Sequence, residues 1–187
     1  VPATVFVPTA FAGSQEPMAW SEMSRWRGTR FESELDCMTW DELRGLRDAG
    51  WEIGSHTRNH RDLVSLPDAE VMAELRESRQ DCERELGQPC RLLAYPFSSY
   101  DRRVKEIARE AGYEAAVILD NHVAIPRGAM QLHSGSEADP LELLRSGIYR
   151  DDGMARFFAK TSLGARRLRA SKFVRAAMRS GSGRVGA

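Results

Sequence analysis

Apolar and polar positions change period several times along the chain, and each change predicts an element. Thr4–Val7 is a β-branched and aromatic run that reads as a buried strand. From Thr39 a helical period takes over. Thr39-Trp40-Asp41-Glu42 forms a capping box, Leu43, Leu46 and Ala49 follow at helical spacing, and Gly50 suits a left-handed C-terminal cap. Trp51–Gly54 reads as a strand. A second helix spans about Pro67–Leu86, with Val71, Leu75, Cys82 and Leu86 on or near one face, and Gly87 and Pro89 end it. Arg91–Tyr95 is the next strand, stopped by Pro96. Asp101–Ala111 is a third helix with Val104, Ile107, Ala108 and Ala111 inward, and Glu114–Leu119 is a further strand. Strands alternating with helices predict parallel strands joined by crossover helices, an α/β sheet or barrel.

The intervening stretches are less regular. Residues 13–37 carry Gly13, Pro17, Gly28 and two tryptophans without a sustained period, and are expected to be a long loop with one short helix. Beyond Leu119 the pattern predicts a strand within Ala124–Leu132, a short helix at Pro140–Ser146 and another at Asp151–Thr161. Leu163–Met178 reads as a basic amphipathic helix, followed by a Gly/Ser tail at Ser180–Ala187. The expected organisation is one α/β domain over 1–150 and a helical basic extension over 151–187.

Composition narrows the class. With 187 residues, 42% apolar and 29% charged, the chain is neither disordered nor collagen-like, and its length suits a single domain. No apolar run approaches the roughly 18 residues of a membrane span, and no signal peptide is visible at Val1, so the compartment stays open. The zero net charge conceals an asymmetry: residues 160–187 hold eight basic residues and no acid, above an acidic body. Such a tail suits an acidic surface or an anionic membrane rather than a specific nucleic acid. Cys37, Cys82 and Cys90 cannot all pair within one chain and form no Cys-x-x-Cys pattern.

Two segments carry candidate chemistry. Ligands gather at the carboxyl ends of parallel strands. There, after Ile53-Gly54-Ser55, stand His56 and His60. Two imidazoles four residues apart can address one divalent metal if the intervening residues make a helical turn, and a catalytic site needs about three protein ligands. The alternative is a pair of histidines decorating a polar loop. The second segment is Ala94-Tyr95-Pro96-Phe97, a strand end turning into a helix, whose backbone N–H groups can stabilise an oxyanion or simply belong to an ordinary turn.

Taken together these motifs resemble the polysaccharide deacetylase family, carbohydrate esterase family four with its NodB-homology domain. The resemblance rests on Pro2-Ala3-Thr4-Val5-Phe6-Val7, on Gly50 to His60, on Ala94-Tyr95-Pro96-Phe97 and on Ala111-Gly112-Tyr113-Glu114-Ala115-Ala116. It implies a distorted (β/α) barrel and a hydrolase that removes acetyl groups from a polysaccharide or amino-sugar polymer. It further implies a divalent metal, typically zinc, held by His56, His60 and one aspartate. The oxyanion donor is then the backbone N–H of Phe97, in the bend made by Tyr95 and Pro96, and the counterpart of the family's late general acid is His133.

The sequence also departs from the family. The aspartate pair that supplies the base and the third metal ligand belongs to a strand upstream of Pro2-Ala3-Thr4, where this sequence has nothing. The barrel is therefore expected to be incomplete at its N-terminus and this chain alone to turn over slowly or not at all. A non-catalytic carbohydrate-binding or interaction module on the same fold is the alternative. Arg61 replaces a customary Pro, Ser98 a customary Gly, and Ala94 an Arg.

Overall fold

Five short strands make one parallel sheet in the computed structural model, which describes residues 3–14, 16–18, 20, 23–119, 139–145, 147–148 and 152–162. They are β1 (Thr4–Val7), β2 (Glu52–Ser55), β3 (Leu92–Ala94), β4 (Ala115–Leu119) and β5 (Leu143–Arg145), ordered β1-β2-β3-β4-β5. Three helices make the crossovers: α1 (Trp40–Asp48), α2 (Asp68–Leu86) and α3 (Arg102–Glu110). Two 3-10 turns, Ser24–Trp26 and Glu32–Leu35, occupy the stretch expected to hold one short helix. The segment expected to be a helix at Pro140–Ser146 is instead a 3-10 turn, Pro140–Glu142, running into β5. Pro140 starts the turn, but Leu143 and Leu144 extend because they pair with Val117 and Ile118 of β4.

The termini of α1 follow from its sequence. The Thr39 side chain accepts from the Glu42 backbone N–H at 3.3 Å, and Glu42 accepts from the Thr39 N–H at 2.8 Å. Gly50, at φ 86°, takes the left-handed conformation that closes the helix.

Register fixes two faces. Val7, Ile53, Leu93, Ala116 and Ile118 share the face that packs on the helices, against Leu43 of α1, Val71, Leu75, Cys82 and Leu86 of α2, and Val104, Ile107 and Ala108 of α3. Phe6, Gly54, Val117, Leu143 and Arg145 lie on the opposite face. This face is strongly concave. Arg145, from one edge strand, stands over the ring of Phe6 in the other, with Cζ 5.3 Å from the ring centroid. Four strand spacings in a flat sheet would separate those strands by about 19 Å. The sheet is therefore a curled wall of barrel type, open between β1 and β5 among the described residues. Gly54 permits the curl, because a Cβ there would stand 2.8 Å from two Phe6 ring carbons and 3.0 Å from the Leu92 carbonyl oxygen.

The chain divides into two units, Val1–Arg145 and Ser146–Ala187. In the second, α4 (Met154–Thr161) is tied by Lys160, which ion-pairs with Asp152 and donates to the Gly147 carbonyl at 2.9 Å. Its Met154, Phe157 and Phe158 are exposed. No described helix is long and apolar enough to cross a membrane. The strand expected within Ala124–Leu132, His133, the basic helix at Leu163–Met178 and the tail lie outside the described residues.

Candidate functional site

The carboxyl ends of β2 and β3 carry the two candidate segments side by side. His56 follows β2 directly, and its Nδ1 lies 2.7 Å from the Ala94 carbonyl oxygen at the end of β3. A carbonyl only accepts, so Nδ1 carries the proton and Nε2 keeps its lone pair for an external partner. Desolvation pushes the His56 imidazole down to about 4, against the raising effect of that hydrogen bond and with help from the neighbouring His60 and Arg145. At neutral pH the ring is therefore an uncharged electron-pair donor, the form in which imidazole binds metals.

His60 meets it without the helical turn expected from the spacing. Thr57 and His60 both adopt left-handed backbone, at φ 65° and 55°. Side-chain oxygens take the four backbone N–H groups that follow His56: Ser55 Oγ from Thr57 at 3.1 Å, Glu74 Oε2 from Arg58 at 3.1 Å and from Asn59 at 2.8 Å, and Thr57 Oγ1 from His60 at 3.1 Å. With its N–H groups taken by side chains rather than by carbonyls one turn back, the loop reverses through left-handed residues instead of continuing as a helix. The segment after β1 braces it from the other side, Thr9 and Ala10 donating to the Thr57 and Arg58 carbonyls at 3.1 and 2.9 Å.

The two rings end 4.6 Å apart, centroid to centroid, and nearly perpendicular. Two imidazoles sharing a tetrahedral cation would have centroids about 5 Å apart, so the pair fits as half of a metal site. Among the described residues no group of three or more His, Cys, Asp or Glu side chains assembles around a common point. Trp20, from the loop after β1, stacks on His60 at 3.9 Å and 14°, and Phe97 meets the same ring edge-on at 4.8 Å.

The bend after β3 is made by residues of unusual backbone. Pro96 opens a 3-10 turn, and Phe97 and Ser98 both have positive φ, 56° and 53°. Ser98 Oγ accepts from the Leu119 N–H at 2.8 Å, pinning the bend to the end of β4. The Phe97 N–H donates to no acceptor among the described residues, and its ring is 38% exposed beside His60. Tyr95 is buried, its hydroxyl donating to the Leu141 carbonyl at 3.2 Å and its ring stacked on Tyr100. Burial pushes the Tyr95 phenol above its ordinary range. All four described non-glycine residues with positive φ thus lie in these two loops, which is where strained backbone tends to collect in functional sites.

Sequence reasoning overlooked two contributors. Glu74 stands within the inward stripe of α2, between Val71 and Leu75, and a carboxylate in an apolar stripe was the available signal. Trp20 stood in an aperiodic loop, and nothing in its neighbours marked it.

The polysaccharide deacetylase family model matches residues 1–116, which hold both histidines and the Tyr95-Pro96-Phe97 bend. The chain belongs to the polysaccharide deacetylase family. Among curated relatives of this polysaccharide deacetylase-family chain, an uncharacterized protein of Streptomyces coelicolor is 29% identical over 100 residues, covering 50% of this chain and 40% of that protein. YxkH of Bacillus subtilis, whose name places it among the polysaccharide deacetylases, is 24% identical over 97 residues, 51% of this chain and 35% of its own length. The chain thus matches well under half the length of either relative. Among solved structures, the fold is shared with the Streptococcus pyogenes deacetylase PplD (TM-score 0.60, 19% identity, 86% of this chain and 59% of that one). It is shared also with BC0361, a polysaccharide deacetylase from Bacillus cereus (TM-score 0.63, 19% identity, 87% and 42%).

Proposed function

We propose that this domain supplies the metal-binding and carbonyl-orienting part of a hydrolase that removes acetyl groups from a polysaccharide or amino-sugar polymer. The observation that carries this reading is the convergence of the His56 and His60 rings, with the Phe97 ring edge-on to His60. In it, His56 through Nε2 and His60 through its ring hold a divalent cation, zinc being the natural choice for neutral imidazoles. Such a cation supplies Lewis acidity toward the acetyl carbonyl and toward water.

The chain's own residues do the rest. The Phe97 N–H donates to the carbonyl oxygen as negative charge develops there. Pro96 and the buried Tyr95 hold the bend so that this donor keeps its aim. His133 is assigned the transfer of a proton to the departing amine or alcohol. Among the described residues no third ligand joins the two histidines, and acetate release by the 187-residue chain is expected to be slow. A chromogenic acetate assay on acetylated chitooligosaccharides checks this. Weak zinc-dependent release, abolished in His56→Ala, supports the reading, and fast turnover that survives this substitution overturns it.

The exposed ring of Phe97 and the Trp20 face also favour a second reading, a carbohydrate-binding module on the same fold. It predicts oligosaccharide binding that needs Phe97 but is indifferent to zinc.

A further inference from the structure

Glu74 is 5% exposed, and it appears in no ion pair among the described residues. The adjacent guanidinium, that of Arg58, turns to Glu77 and Asp81 instead. A buried carboxylate without a cation must draw its stabilisation from hydrogen bonds. Glu74 draws all of its described ones from a single loop. Oε2 accepts from the backbone N–H groups of Arg58 and Asn59, at 3.1 and 2.8 Å, and Oε1 accepts from Asn59 Nδ2 at 2.8 Å. Both residues lie between the two histidines.

We infer that Glu74 is a positioning residue of the metal site, a fixed anion around which residues 57–60 bend so that His60 faces His56. The inference rests on the metal-site reading given above, but its structural half does not. The loop reverses through two left-handed residues, Thr57 and His60, which only persist where the surroundings hold them. α2 is anchored independently by Val71, Leu75 and Cys82 in the core, so its carboxylate is a stationary point. Two consecutive N–H groups directed at one oxygen specify the local backbone more tightly than one bond. The negative charge strengthens each of these bonds. Glutamine at this position keeps the shape and one acceptor but loses the charge. Its amide N–H groups then oppose the Asn59 amide unless Asn59 turns over. Partners of this kind behind metal ligands typically cost 10–100-fold in metal affinity when altered.

The test compares wild type, Glu74→Gln and Asn59→Ala by titration with Zn2+ alone, with the ring-to-ring NOE between His56 and His60 and the amide exchange of Arg58 and Asn59 recorded on the metal-free chains. For a folded E74Q chain the expected result is about 10–100-fold weaker zinc binding, a weakened NOE and faster exchange at both amides. N59A, an exposed substitution that removes one of the three donors, should shift each readout in the same direction by a smaller factor. Wild-type zinc affinity together with an unchanged NOE in folded E74Q overturns the inference. If E74Q does not fold, unchanged readouts in N59A overturn it. Should wild type itself bind no zinc, the metal reading fails, and the NOE and exchange arms still decide the role of Glu74.

Discussion

His56 shows how much one hydrogen bond settles. The Ala94 carbonyl fixes the tautomer, and desolvation lowers the ring to about 4, so the folded protein refuses a proton that the unfolded chain accepts near 6.5. Because the unfolded state binds more protons, stability should fall as pH drops from about 6.5 to about 4 and level off below. In metal-free protein this contribution is of order 3 kcal/mol. Urea melts at closely spaced pH values should show the slope in wild type and a flatter one in His56→Gln. Ser98 allows a second residue-level prediction. It tolerates φ 53° and also pins Leu119. Ser98→Ala keeps the strain and loses the bond, whereas Ser98→Gly loses the bond but relieves the strain. The glycine variant should be the more stable of the two by about 1 kcal/mol in chemical denaturation.

At the scale of elements, the curl of the sheet depends on the pairing of a large and an absent side chain. Phe6 lies over Gly54 with no room for a methyl group. Gly54→Ala should cost about 1–3 kcal/mol, as overpacking does. Adding Phe6→Ala should recover part of the clash, so that the double mutant is more stable than the sum of the single effects predicts. The helices and β1 to β4 were legible in the sequence because capping, period and terminators agree there, as at Thr39, Gly50 and Pro96. β5 was misread as helix because Pro140 and the following leucines suit a short helix locally, while their extended state comes from pairing with β4. The positions of both histidines were legible too. The loop between them was not, since its shape is set by Ser55 and by Glu74, the latter 14 residues past His60.

For the molecule as a whole, a shared cation should couple the site to global stability. Zinc at a hundred times its dissociation constant is expected to add about 2.7 kcal/mol. The midpoint of thermal unfolding should rise with zinc, return on adding EDTA, and not respond in His60→Ala; an identical rise in that variant would locate the binding elsewhere. The stabilisation belongs to the first unit, whose sheet, α1, α2 and α3 enclose the core. The loop bearing the two imidazoles is short enough to synthesise, yet beyond the Ser55 and Thr57 side chains what shapes it comes from other parts of the chain, including the Val7 carbonyl, the Ala94 carbonyl, Glu74 and the stacked Trp20. An isolated peptide of residues 51–65 would therefore hold both rings in solution and lose their common aim. Grafting this motif into another scaffold would require transplanting its neighbours as well.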